Sequence, residues 1–453
     1  MKRLFSRICL AALVLFALLV ISFIVWRVNL AHDVDAKLQA IRAAGLPTNN
    51  GKELNAYYPA VPDNENAALK MAGAFALMTN YNDRRSNDVA AIKFPARKDT
   101  LTPEQLELVA GYCAMNSNAI AQAMEAIKLP RCRYPVDSTC GAGTLLPHLA
   151  TLKRLSTLAE YQTLFEANGS AADISTIIGM ARTLDTEPMA ISKLFRMAML
   201  DMAKTALERR LNTGELNEAE LIHLSQWFAE GAKTNQMANA LIGERAMWIP
   251  YCRMSSAEIA EIEKYSTNSD NSSSKRNGRP IPGHQPFMFW LSGFFERDLR
   301  FFLQAMETNI SLSATFPKDI VVISNVQEQL SQTSKQNRYI RSSLILPACG
   351  KAIIKEANNL AQVRSAQTAI AIERYRLAKR KLPENLNELV PQFLSAVPAD
   401  PFGGQPLRYH RLEKGYVIYS VGSDGHDDGG REKPADWKSS DKTTYDITFT
   451  VER

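Results

Sequence analysis

The densest set of chemically capable side chains is the run Ser423-Asp424-Gly425-His426-Asp427-Asp428-Gly429-Gly430. Carboxylates separated by glycines in a tight loop, together with backbone carbonyls, offer oxygen ligands to a hard cation that takes about six to eight of them. A solvated acidic turn is the plain alternative. An EF-hand is excluded, because His426 stands at the third position of such a loop and Ala435 at the twelfth. Elsewhere His148, in Leu146-Pro147-His148-Leu149, opens an apolar helix, where a histidine serves either as a base or as a structural hydrogen-bonding group. Glu244, Arg245 and Trp248 lie together near a helix end and read as an ion pair with packing. There is no Gly-x-Ser-x-Gly, no His-Glu-x-x-His and no phosphate-cradling glycine loop. No catalytic residue is assigned on this basis, although paired carboxylates far apart in sequence escape a search by local spacing. Cysteine spacing gives no structural zinc site, and Cys132 and Cys140 bracket a loop that suits either a local disulfide or two separate thiols.

The elements that must position these residues begin at a membrane. Lys2, Arg3 and Arg7 precede an unbroken apolar run from Ile8 to Trp26, long enough at about 1.5 Å per residue to cross a hydrocarbon core of about 30 Å. The run exceeds the apolar core of a cleavable secretory peptide and ends Val25-Trp26-Arg27 without a small-x-small site, so it reads as a retained anchor. The basic residues before it place residues 1–7 in the cytoplasm and everything after Arg27 outside it, in an inner-membrane, single-pass, periplasmic arrangement. The lipid bilayer is therefore the first expected partner. The net charge of +6 comes from interleaved Lys and Arg rather than one block, so no nucleic-acid partner is expected.

Residues 27–66 read as a stalk, a polar helix stopped by Gly45-Leu46-Pro47 and then a proline-punctuated stretch ending with Asp63 or Asn64 as the cap of a helix near Ala67. From 67 to 265 helix follows helix, with turn formers at Asn168-Gly169-Ser170 and Asn212-Thr213-Gly214. A bundle or irregular helical array is the reading. Residues 266–286 form a polar, proline-broken linker. Residues 287–349 form a helical connecting region whose Phe287, Phe289, Trp290, Phe294, Phe295, Leu299, Phe302 and Leu303 are core rather than a second membrane contact. Residues 315–346 are ambiguous in period.

The last segment, 350–453, is the most legible. Apolar residues recur every three or four positions from Lys351 to Lys379, and Pro383 ends the helix. After the turn formers Pro398-Ala399-Asp400-Pro401-Phe402-Gly403-Gly404 the period becomes two: Leu407–Leu412 and Gly415–Ser420 form a hairpin, and Ile447–Val451 a further strand. The fold class is thus α+β: a transmembrane helix, a mainly helical bundle, and a long helix packed on a small antiparallel sheet.

The ordered set Ala369-Ile370-Ala371-Ile372-Glu373-Arg374-Tyr375, Lys381-Leu382-Pro383, Val397-Pro398-Ala399-Asp400-Pro401-Phe402-Gly403, Tyr416–Gly425 and Gly429-Gly430 resembles the soluble part of type II secretion major pseudopilins. The resemblance covers roughly the last hundred residues. It departs from that family at the other end, which lacks the prepilin peptidase site and the early glutamate of the apolar helix, so polymerisation as a pilin is not expected. A membrane-anchored helical chain ending in such a module also resembles exported proteins of planctomycete and verrucomicrobial bacteria. The pseudopilin resemblance implies calcium in the acidic loop, carried onto Asp424 directly and onto Asp436 or Asp446 as the later carboxylate, with Asp427 and Asp428 additional to the family pattern. It also implies envelope or secretion-system proteins as partners. The resulting expectation is a non-catalytic envelope protein with a calcium-stabilised terminal module. The alternative is a membrane-tethered hydrolase with its site in the helical region.

Overall fold

No glycine or proline interrupts residues 2–43, and helix α1 runs unbroken over Lys2–Ala43. It stops in a Schellman turn: Gly45 takes a positive φ of 74°, its N–H bonds to Arg42 O, and Leu46 N–H bonds to Ile41 O. The computed structural model describes residues 2–165, 170–233, 235–253, 293–434 and 444–453. One described helix is long and apolar enough to cross a membrane, and its most apolar stretch is left unburied. Phe16 and Leu13, for example, stay exposed.

Past Trp26 the same helix changes role. Leu30, Val34 and Leu38, spaced four apart, are buried. Val34 and Leu38 join a core with Leu241, Leu299, Phe302 and Met306. The 27–66 segment therefore lies against the body instead of standing off it, continued by Thr48 and Leu54, also buried.

The helical array comprises α2 (Lys52–Tyr57), α3 (Ala67–Leu77), α4 (Arg85–Ala91), α5 (Pro103–Met115), α6 (Ser117–Ala126), α7 (Pro147–Gln162), α8 (Ser170–Arg182), α9 (Ala190–Thr213), α10 (Glu218–Gly231) and α11 (Gln236–Arg253). Helix starts follow side-chain chemistry. Thr102 with Gln105, and Asn217 with Glu220, form complete capping boxes on α5 and α10. Helix α3 is capped by Asn66, not by Asp63 or Asn64, which instead enter a short 3-10 turn. Then come α12 (Phe294–Ala314), α13 (Ile320–Gln336) and α14 (Ile340–Lys379). The ambiguous 315–346 stretch is thus helical over most of its length. The linker at 266–286, the Asn168-Gly169 turn and Phe287, Phe289 and Trp290 lie outside the described residues. Of the remaining apolar cluster, Leu299, Phe302 and Leu303 are buried core.

Strands β1 (Arg408–Leu412), β2 (Gly415–Ser420) and β3 (Ile447–Val451) form an antiparallel sheet in that order, with Tyr409 opposite Ile418 and Ile418 opposite Phe449. Helix α14 packs on this sheet and also against α9, α10 and α12. One core consequently holds Leu200 of α9, Phe228 of α10, Val363 and Ile370 of α14, and Ile418 and Phe449 of the sheet. The free edge of β3 is closed by α9. Glu208 accepts from Thr450 N–H (2.7 Å), while Asn212 donates to Thr450 O and accepts from Glu452 N–H, both at 2.8 Å. The cysteines are free thiols: Cys132 is buried and Cys140 exposed, with no disulfide between them.

Candidate functional site

The acidic loop leaves β2 at Ser420 and returns at Asp446, just before β3. Gly429 and Gly430 both take positive φ, 71° and 79°, a conformation that side chains with a Cβ resist. This pair aims successive backbone donors inward: Gly429 N–H bonds to Asp427 Oδ1 (3.0 Å) and Gly430 N–H to Asp446 Oδ2 (2.7 Å). Asp446 is 2% exposed and also receives Asp428 N–H at 3.4 Å, so one carboxylate ties the two ends of the loop together. Burial, and then the charges of Asp427 and Asp428, push its carboxyl above the ordinary range against the pull of those two N–H bonds.

Asp428 is the unusual member. Its side chain is 5% exposed; Oδ1 accepts from Thr444 Oγ1 at 2.8 Å and lies 3.8 Å from Arg431, but among the described residues the buried Oδ2 has no hydrogen-bond partner. A buried carboxylate oxygen without a donor is costly unless a cation supplies its counterpart. Asp427 turns aside, with Oδ2 2.8 Å from Arg408 Nε. Burial raises its carboxyl, but the Gly429 N–H and Arg408 outweigh that and hold it below the usual value. Asp424 is set apart on the preceding turn, where Oδ1 accepts His426 N–H at 3.1 Å. Asp436 lies outside the described residues. The loop therefore brings Asp428 and Asp446 together, places Asp427 beside them against an arginine, and leaves Asp424 as a local turn cap. Among the described residues no group of three or more Asp, Glu, His or Cys side chains is arranged to hold a metal ion.

His148 is held by Glu187 and Tyr134. Its Nε2 lies 3.0 Å from Glu187 Oε2, and its ring stacks on Tyr134 at 4.2 Å. Ser192 Oγ also donates to Glu187, through the other oxygen. Histidine and serine thus share one carboxylate, whereas nucleophilic catalysis needs the serine on the histidine. With Ser192 and Glu187 fully buried, the trio is a structural network. The Glu244–Arg245 ion pair expected from sequence does not form. Adjacent helical residues point apart, and Glu244 instead accepts Ala190 N–H (2.9 Å) and Trp248 Nε1–H (3.1 Å).

Two buried ionisable groups had no local signal. Glu160 is 6% exposed and faces a cleft of about 600 Å³ lined by Asn80, Phe94, Tyr112, Arg154 and Tyr161. Burial, assisted by the charge of Asp201, pushes its carboxyl up to about 8. The two acids are brought together by the packing of α7 on α9, a relation invisible to short-range spacing. Lys193 is fully buried and donates to Leu184 O and Asp185 O, each at 2.6 Å. Burial, with the charge of Arg196 next, pushes it down to about 7. No family model, no curated protein and no solved structure matches this chain.

Proposed function

We propose that this is a non-catalytic, single-pass envelope protein. Its α1 anchors it in the inner membrane with the N-terminus cytoplasmic, and its body lies in the periplasm. The acidic loop binds calcium, and the α14–sheet unit is a pseudopilin-like module through which the protein meets other envelope or secretion-system proteins. The observation that supports the metal is the buried Asp428 Oδ2, without a hydrogen-bond partner among the described residues, next to the buried Asp446 carboxylate. A calcium ion would draw oxygens from Asp428 and Asp446, stabilise the loop that leads into β3, and lower the cost of holding two carboxylates together. The test is thermal melting of the full chain in detergent with calcium or with chelator. Calcium raises Tm of the wild type, and Asp428→Asn or Asp446→Asn removes that rise. Equal melting with and without calcium in the wild type rejects the metal.

A second reading, a membrane-tethered hydrolase, draws on Glu160 alone: an acid kept protonated near neutral pH in a cleft is suited to protonate a leaving group. It requires turnover of a glycosidic or peptide substrate that Glu160→Gln abolishes without loss of folding. Turnover that survives Glu160→Gln would discard it.

A further inference from the structure

The orientation of three helices fixes what the base of the body faces. Arg27 of α1 pairs with Glu296 of α12 at 2.9 Å, and Asp33 pairs with Arg300 at 3.2 Å, so the two helices run parallel away from the end of the apolar run. Helix α14 runs the same way. Asp298 accepts from Arg341 N–H (2.9 Å) and Ser342 N–H (3.1 Å) at its start, and Ser313 reaches Glu356 further along. Asp298 stands between Glu296 and Arg300, so α14 begins level with the stretch of α1 between Arg27 and Asp33. That is within about 10 Å of Trp26 along the helix axis, a height comparable to a headgroup layer of roughly 5 to 8 Å.

The corner between α13 and α14 sits at this level, and its surface is distinctive. Ile340 and Leu344, four apart on one face of α14, are 52% and 70% exposed. Lys335 and Arg338, just before them, are exposed and have no carboxylate partner among the described residues. Behind them Arg341 covers the Phe295 ring at 4.2 Å and Tyr339 packs on Phe301 at 5.0 Å, so the corner is a firm surface. Two aliphatic side chains are far too little for a stable second copy, which needs about 1,200 Å² or more of buried surface. Exposed aliphatics flanked by uncommitted cations, at the height where the anchor leaves the lipid, match an anionic bilayer surface.

We infer that the α13–α14 corner is a second membrane contact: Lys335 and Arg338 lie against phospholipid phosphates and Ile340 and Leu344 rest in the headgroup layer, seating the body on the bilayer by its base. This rests on α1 being in the membrane, and the test separates the two. The full chain is placed in phosphatidylcholine nanodiscs, with or without phosphatidylglycerol, carrying p-benzoylphenylalanine in place of Phe16, Leu344 or Leu145. Leu145 is the exposed control. Its neighbouring Ser138–Gly143 turn is held to Asn50, close to Glu53, which pairs with Arg42 near the far end of α1, about 24 Å past Trp26 along the helix axis. Irradiation gives lipid adducts at positions 16 and 344 and none at 145. The yield at 344 falls several-fold without phosphatidylglycerol, or when Lys335→Glu and Arg338→Glu are introduced in a variant whose Tm matches the wild type. Lipid adducts at 16 but none at 344, or chain-to-chain adducts at 344, overturn the inference. Absence of lipid adducts at 16 defeats the anchored reading along with it.

Discussion

Glu160 and Lys193 are the side chains whose titration the fold alters most usefully for experiment, and they act with opposite sign. Glu160 stays protonated in the folded chain up to about pH 8, while an unfolded glutamate ionises near 4.5. Between those values the folded state holds the extra proton, so this residue's contribution to stability declines as pH rises. Glu160→Gln removes the dependence. The variant should melt close to the wild type near pH 4.5 and above it at pH 8, by a few kcal/mol at most. Lys193 releases its proton near pH 7 in the folded chain, against 10.5 when unfolded. There the unfolded state holds the extra proton, and stability rises from pH 7 toward 10.5. Lys193→Met should flatten that rise while lowering stability throughout, because Leu184 O and Asp185 O lose their donor. Melting curves across pH check both. At this scale the acidic loop was legible because aspartate and glycine alternate locally. The pairing of Asp428 with Asp446 was only partly so, since it is made by two glycine donors and a strand return. Glu160 was not legible at all, because its cleft is assembled from helices far apart in sequence.

At the scale of elements, the docking of β3 onto α9 is the junction most open to test. Asn212 bridges Thr450 O and Glu452 N–H with one buried amide. Asn212→Ala should cost about 1–3 kcal/mol and speed amide exchange at Glu452 in particular; unchanged exchange there would mean the edge is held by other contacts. The β1–β2 hairpin was readable because its period of two follows on a helical period, with glycine and proline between. The start of α14 was not. Reading it from Lys351 misses eleven residues, Pro347 among them. In the structure that proline sits inside the helix near its N-terminal end, where it forfeits a single bond to the preceding turn. The packing of 27–45 had a signal that a polar overall composition masked: Leu30, Val34 and Leu38 repeat at four and share one buried face.

For the whole molecule the consequence is continuity. The helical array and the terminal sheet share α14, whose Val363 packs beside Gly231 of α10 and whose Asn359 donates to Met197 O of α9 at 3.0 Å. A fragment spanning 350–453 should therefore melt without cooperativity, as its helix would expose a face that the array now covers; a sharp calorimetric transition would show that the unit folds alone. Anchor and body are joined just as closely, since α1 passes from lipid-length apolar surface into the core of α11 and α12 without a break. The most direct test of the account is where that body lies. Apart from Cys9 in the membrane segment, Cys140 is the exposed thiol. In sealed spheroplasts, a membrane-impermeant maleimide should label Cys140 of the full-length chain without lysis. Labelling that appears only after lysis would place the body in the cytoplasm and contradict it.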